Sequence, residues 1–141
     1  MTQPGGPQLL GFATRIGIQL LSATAEEVVA ELEPDDRHLD PAGDVHHGVY
    51  ASLVETTASV GAWLAVEGRG GQQVVGIANA TETMLAHTVG RLRARARPQH
   101  VGEREQLWSA EVRRAGDDAL VASGQVRLWH VADHPEGWRS T

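Results

Sequence analysis

The sequence contains no cysteine and no lysine. Without cysteine the chain has neither a disulfide framework nor thiolate chemistry. Without lysine its twelve basic residues are all arginines, set against eighteen acidic ones for a formal net charge of −6. That balance argues against a nucleic-acid partner gripped through its phosphates. Long apolar runs are missing too: no stretch reaches the roughly 18 consecutive apolar residues of a membrane-crossing helix. Met1 to Gly11 has neither the basic flank nor the apolar stretch of a secretory signal. The expectation is a cytoplasmic protein with no membrane and no nucleic-acid partner. Its 141 residues, 41% hydrophobic and 21% charged, suit one globular domain with a modest core that oligomerisation would enlarge. Residues 1–8 and 133–141 are expected at the periphery of that domain.

What is present is organised around one long helical pattern. Leu9 to Ala13 suits a short helix, and Arg15 to Ala23 and Glu27 to Glu33 read as strands. In the second strand Val28, Ala30 and Leu32 alternate with Val29, Glu31 and Glu33. After a polar loop, a helix is predicted from Gly48 to about Glu67, closed by Gly68-Arg69-Gly70-Gly71. Its residues are apolar or small on nearly every side, so the rest of the chain is expected to wrap around it. Four strands follow: Gln73 to Glu82, Arg91 to Arg97, Gln106 to Ala115 and Leu120 to Val131. With no helices between them, these strands should form a largely antiparallel sheet. The predicted architecture is α+β, a curled antiparallel sheet wrapped around one long central helix.

One polar stripe interrupts the helix. Ser52, Glu55 and Ser59 are spaced by three and four and share a face, with Gly48 two turns before Glu55. A carboxylate on a mostly buried helix is unusual, because an unpaired buried charge is costly. In a mechanism it would serve as a general base, and the alternative is a Glu that simply reaches solvent or an arginine at the helix edge. At the helix start, unpaired N–H groups and the positive end of the dipole suit an anion or a developing oxyanion. Gly48 and Glu55 are about 10 Å apart along the axis, too far to act on one carbonyl within one chain. Two antiparallel copies of the helix would bring one copy's start to the other's Glu55.

The run His46-His47-Gly48-Val49-Tyr50-Ala51-Ser52-Leu53-Val54-Glu55 resembles the signature of hotdog-fold thioesterases. The nearest groups are the PaaI-type and 4-hydroxybenzoyl-CoA thioesterases, with their HGG motif followed six residues later by Asp or Glu. The resemblance covers about Arg15 to Val131, and Met84 to Ala96 is similar to the family's strand after the helix. It implies an acyl-CoA thioesterase that releases a carboxylic acid and free coenzyme A, with no cofactor beyond the coenzyme A of its substrate. Glu55 then takes the place of the catalytic carboxylate, and Ser59 that of a hydroxyl that helps position water. His46 matches the family histidine and Gly48 the second glycine. Asp40 stands where an Asn or Gln contacts the thioester. Two positions depart from the pattern: His47 replaces the first glycine, whose N–H is the usual oxyanion donor, and Asp40 replaces an amide. The resemblance further implies a homodimer or homotetramer with active sites at the dimer interface.

Other readings compete for some residues. His38, Asp40, Asp44, His46 and His47 lie close together in sequence and are of metal-ligating type, without an established ligand spacing. The same fold could carry a hydratase, a dehydratase or a non-catalytic acyl-CoA-binding protein. Arg91 and Arg93, with Arg104, are candidates to meet the phosphates of coenzyme A, against the alternative that the strand's arginines pair with Glu31, Glu33 or Glu111. Trp63 and Tyr50 are expected in the core, and Trp108, Trp129 and Trp138 in the core or at interfaces. His87, His100, His130 and His134 are expected at the surface or at strand ends.

Overall fold

The computed structural model describes residues 8–70 and 72–132. Residues 1–7, 71 and 133–141, with His134 and Trp138, lie outside them. A short helix α1 (Phe12–Arg15) leads into strands β1 (Gln19–Ala23) and β2 (Val28–Leu32). A 3₁₀ turn at Asp36–His38 and a loop precede the long helix α2 (His47–Val66). Strands β3 (Gln73–Thr83), β4 (Leu92–Val101), β5 (Glu105–Arg114) and β6 (Leu120–Val131) complete the chain. All six strands form one antiparallel sheet in the order β1-β2-β4-β5-β6-β3. The α+β expectation of a sheet curled around one helix holds.

The alternation of β4 explains how the sheet faces the helix. Leu92, Ala94 and Ala96 are buried beneath α2, while Arg93, Arg95 and Arg97 stand on the outer face. Trp108, Val112, Val126 and Leu128 continue the inner face toward Tyr50, Leu53, Val54, Ala58 and Ala62 of α2. Gly61 allows the closest approach, because a methyl group there would collide with the Trp108 ring. Beside this contact, Trp108 Nε1 donates to Gln106 Oε1 at 2.7 Å. The Gln106 amide nitrogen donates to the Ala62 carbonyl at 3.0 Å and to His130 Nε2 at 2.9 Å.

Several expectations change. The helix is not wrapped on every side. Tyr50, Leu53, Val54, Thr57, Ala58, Gly61, Ala62 and Val66 are buried, but Val49, Thr56 and Val60 are only half-buried and Trp63 is 39% exposed. A single six-stranded sheet covers one side of a cylinder and leaves the other. α2 has the length and apolarity of a membrane-crossing segment, and its packing against the sheet accounts for that composition. Arg15 belongs to α1 and not to β1, because Gly17 takes a positive φ of 87° and turns the chain. β2 is buried at all five residues instead of alternating, since arginines of β4 cover Glu31. β4 runs past Pro98 to Val101, where the register shifts by one residue and β2 has already ended. His87 is buried, with Nε2 bonded to the Gly90 carbonyl at 2.7 Å, and Trp129 is 51% exposed.

Candidate active site

The start of α2 is built by its cap. His46 has extended backbone, and its Nδ1 accepts from the Gly48 N–H at 2.8 Å. The ring proton therefore lies on Nε2. His46, Gly48 and Ser52 line a cavity of about 530 Å³ whose apolar walls are Phe12, Ile16, Leu39 and Val49. The cap occupies the Gly48 N–H, whereas the His47 N–H has no partner among the described residues. His47 lies in the first turn of α2 without a positive φ, so its Cβ costs the backbone nothing. Its Nδ1 meets Thr83 Oγ1 at 2.6 Å.

Asp40 organises the loop before the helix. Its Oδ1 accepts from the backbone N–H groups of Ala42 at 2.9 Å and Asp44 at 3.1 Å. It lines a cavity of about 390 Å³ together with His47, Tyr50 and Thr83. The Tyr50 hydroxyl is buried without a partner among the described residues. Burial, and then the charge of Asp44, push its phenol above the ordinary range, so it is a neutral donor.

Glu55 sits two turns along α2 on the half-covered flank. Ser59 Oγ, one turn further, donates to its Oε2 at 3.1 Å. Asn79 Nδ2 of β3 donates to its Oε1 at 3.1 Å and to the Ala51 carbonyl at 3.1 Å. Among the described residues no cation pairs with the carboxylate. Gly76 of β3 lies under it, and a methyl group there would collide with Oε2. Ser52, on the same helix face, instead donates to the Gly48 carbonyl at 2.7 Å. Glu55 and Ser59 are thus brought together, and Asn79 and Gly76 join them although the sequence reading passed over both. No regular period marked them, because the register shift between Gly76 and Ala78 breaks the alternation of β3.

The remaining candidates are dispersed. His38 is buried, with Nδ1 accepting from the Asp35 N–H at 2.9 Å and Nε2 on the Ile16 carbonyl at 2.6 Å. His38, Asp40, His46 and His47 therefore serve separate local roles, and among the described residues no group of three His, Asp or Glu side chains could hold a metal. Arg93 places Nε and Nη2 on Glu31 Oε2 at 2.9 and 2.6 Å, on the sheet face turned away from α2. Arg95 and Arg97 both hold Glu27. Arg91 lies within 3.6 Å of Glu31 and lines a cavity of about 610 Å³ with Arg114 and His87. Arg104 lies beyond the far end of β4, beside Trp129. A ten-residue strand separates it from Arg91 by about 30 Å, so within one chain the three arginines do not meet at a single point.

The model of the thioesterase superfamily matches residues 42–121, a span that takes in α2, Glu55 and all of β3. The chain belongs to the thioesterase superfamily. A Mycobacterium tuberculosis protein named an esterase, Rv1847, is 35% identical over 126 residues, covering 88% of this chain and 89% of that protein. Its structure matches this one with a TM-score of 0.83. The protein AziG of S. sahachiroi matches with a TM-score of 0.82 at 36% identity, covering 88% of this chain and 98% of the other. The 1,4-dihydroxy-2-naphthoyl-CoA hydrolase of Escherichia coli is 34% identical over 108 residues, 77% of this chain and 76% of that enzyme. The sheet and helix are those of a hotdog thioesterase, and the protein is by family a thioester hydrolase.

Proposed function

We propose that this thioesterase-superfamily protein hydrolyses acyl-CoA thioesters in the cytoplasm, releasing a carboxylic acid and free coenzyme A. The observation that carries the reading is the Glu55 carboxylate: held by two neutral donors, paired with no cation among the described residues, and set on the half-covered flank of α2. Such a group can take a proton from water or attack the carbonyl carbon itself. Negative charge then builds on the carbonyl oxygen, and a preorganised N–H donor lowers that barrier. The His47 N–H, with the helix dipole behind it, is placed for that role. Collapse of the tetrahedral adduct breaks the C–S bond and expels the coenzyme A thiolate, which takes up the proton drawn from water; where Glu55 itself attacked, a water then cleaves the acyl–Glu55 anhydride, releasing the acid and restoring the carboxylate. The coenzyme enters with the substrate, and no further cofactor takes part. The named activity of the E. coli relative supports coenzyme A as the carrier.

His47 and Glu55 are eight residues apart on one helix, about 12 Å along its axis. One carbonyl cannot meet both within one chain. The reading therefore includes a homodimer, or a tetramer built from it, with the helix start of one copy facing Glu55 of the other. Two features support it: β3 is an edge strand with Gly76–Ala80 exposed, and α2 leaves Val49 and Val60 only half-buried and Trp63 exposed. Of the arginines, Arg91 at the helix-start end of the sheet is best placed for a coenzyme A phosphate, with Arg114 beside it.

The test is thiol release from a panel of aryl, short and longer acyl-CoAs by the wild type and Glu55→Ala. Turnover by the wild type and a fall of about 10²- to 10⁴-fold in the variant are expected. Equal rates in the two proteins would reduce Glu55 to a structural group and favour a non-catalytic acyl-CoA-binding protein. Full activity in an enforced monomer would remove the shared site.

A further inference from the structure

We infer that Asn79 is a positioning residue for Glu55, and that a β-bulge at Ile77 exists to aim it. The inference rests on the proposed role of Glu55. In a regular strand residues 76 and 79 would point to opposite faces. In β3 the register shifts: Gly76 lies opposite Leu128 and Ala78 opposite Arg127, leaving Ile77 as the extra residue. The added residue inverts the alternation beyond it. Gly76 and Asn79 therefore both face Glu55, the first clearing room for Oε2 and the second donating to Oε1. A strand without the bulge could supply the space or the donor, but not both.

The orientation of the Asn79 amide is fixed by its own partners. Thr81 Oγ1 donates to Asn79 Oδ1 at 2.7 Å, while Nδ2 faces two acceptors, Glu55 Oε1 and the Ala51 carbonyl. The flipped amide would set its oxygen against a carboxylate and a carbonyl and leave the Thr81 hydroxyl facing an NH₂ group. Thr83, next on the same face, holds the His47 ring. One polar edge of β3 thus ties both halves of the proposed chemistry to a single strand. Each Glu55 oxygen accepts one described side-chain bond, from Asn79 or Ser59, and keeps acceptor capacity for a water or a carbonyl carbon. The geometry holds the carboxylate in one rotamer without neutralising it.

The experiment compares the full-length wild type, Asn79→Ala and Thr81→Val on the best substrate of the acyl-CoA panel. A 1 Å misplacement of a reacting group costs on the order of 10²-fold. For Asn79→Ala, kcat should fall about 10- to 100-fold with KM within about twofold of wild type. Thr81→Val should show a smaller fall in kcat of the same kind, which provides a second reading if the first variant folds poorly. Because Asn79 acts through Glu55, adding Asn79→Ala to Glu55→Gln should slow the enzyme no further. A kcat within twofold of wild type in both variants, a loss confined to KM, or a full multiplicative loss in the double variant would overturn the assignment. If the wild type hydrolyses no thioester, the functional reading fails on its own. The positioning claim is then decided by crystal structures of the wild type and Asn79→Ala: a displaced Glu55 carboxylate upholds it, and an unmoved one defeats it.

Discussion

Two polar clusters sit along the same face-to-face contact between α2 and the sheet, and they are finished differently. Near the C-terminal half of the helix, Gln106 is fully buried, accepts from Trp108, and donates to Ala62 and His130. His130 in turn bonds the Glu103 carbonyl through Nδ1 at 2.8 Å. Within this cluster the Gln106 amide nitrogen and oxygen, the Trp108 Nε1 and both His130 ring nitrogens all have partners. In the middle of the helix, the Glu55 carboxylate is half-buried and held by only two neutral donors. A polar network that closes on itself specifies a core. A carboxylate with acceptor capacity left over, beside an edge strand and a half-covered helix flank, is built to meet something else.

That difference predicts opposite phenotypes. Glu55→Ala should lower kcat by about 10²- to 10⁴-fold, roughly 3–5 kcal/mol in barrier, while thermal denaturation shows little change. A large loss of stability in that variant would place Glu55 with the structural cluster. Trp108→Ala should do the reverse at its origin, removing about 3–5 kcal/mol of folding stability by emptying the core beneath Gly61. Denaturant unfolding measures it, and a loss under about 1 kcal/mol would show that the sheet and helix do not depend on that contact. Gln106→Leu should cost about 1–3 kcal/mol, because it leaves the Trp108 N–H buried without an acceptor. If Gln106→Leu were as stable as wild type, the claim that the network is closed and structural would fail.

The smallest effect belongs to the outer face of the sheet. Hydrogen bonds from Arg97 and then Arg95 lower the pKa of Glu27 below its ordinary value in the folded chain. A group whose folded pKa is depressed stabilises the fold above its unfolded pKa and loses that contribution as pH falls through the folded value. Glu27→Gln should therefore be slightly less stable than wild type at neutral pH, with the gap closing on acidification below the ordinary carboxylate range. A gap that widens at low pH would reverse the sign and remove the two arginines as its cause. Screening keeps the effect small, and added salt should shrink it further.

Much of the fold was legible because it follows from periodicity. The bounds of β6 were read as Leu120 to Val131 and fall there, and the alternation of Leu92, Ala94 and Ala96 with arginines correctly split β4 into an inner and an outer face. Where local pattern and tertiary context disagree, context wins. Glu31 looks like a solvent-facing residue of an alternating strand, yet arginines from β4 cover it. Apolarity around α2 was read as burial on every side, whereas Val60 and Trp63 remain partly open in the single chain. At the candidate site, Glu55 and Ser59 were visible through their i, i+4 spacing on one helix. Asn79 and Gly76 were not, because they reach Glu55 from 24 and 21 positions away in sequence through a bulge, and a bulge leaves no regular period to read.

The sequence alone therefore determined the order of the elements, the long apolar helix, and the carboxylate at Glu55, since each is a property of neighbours along the chain. Only the tertiary structure decided what that carboxylate touches. It assigned His46 to capping Gly48, Asp40 to closing a loop and Arg93 to Glu31, and it left the His47 N–H without a described partner. The physical reason is that hydrogen bonds and ion pairs across the fold depend on strand register and inversion. A single inserted residue at Ile77 changes which side chains face the helix.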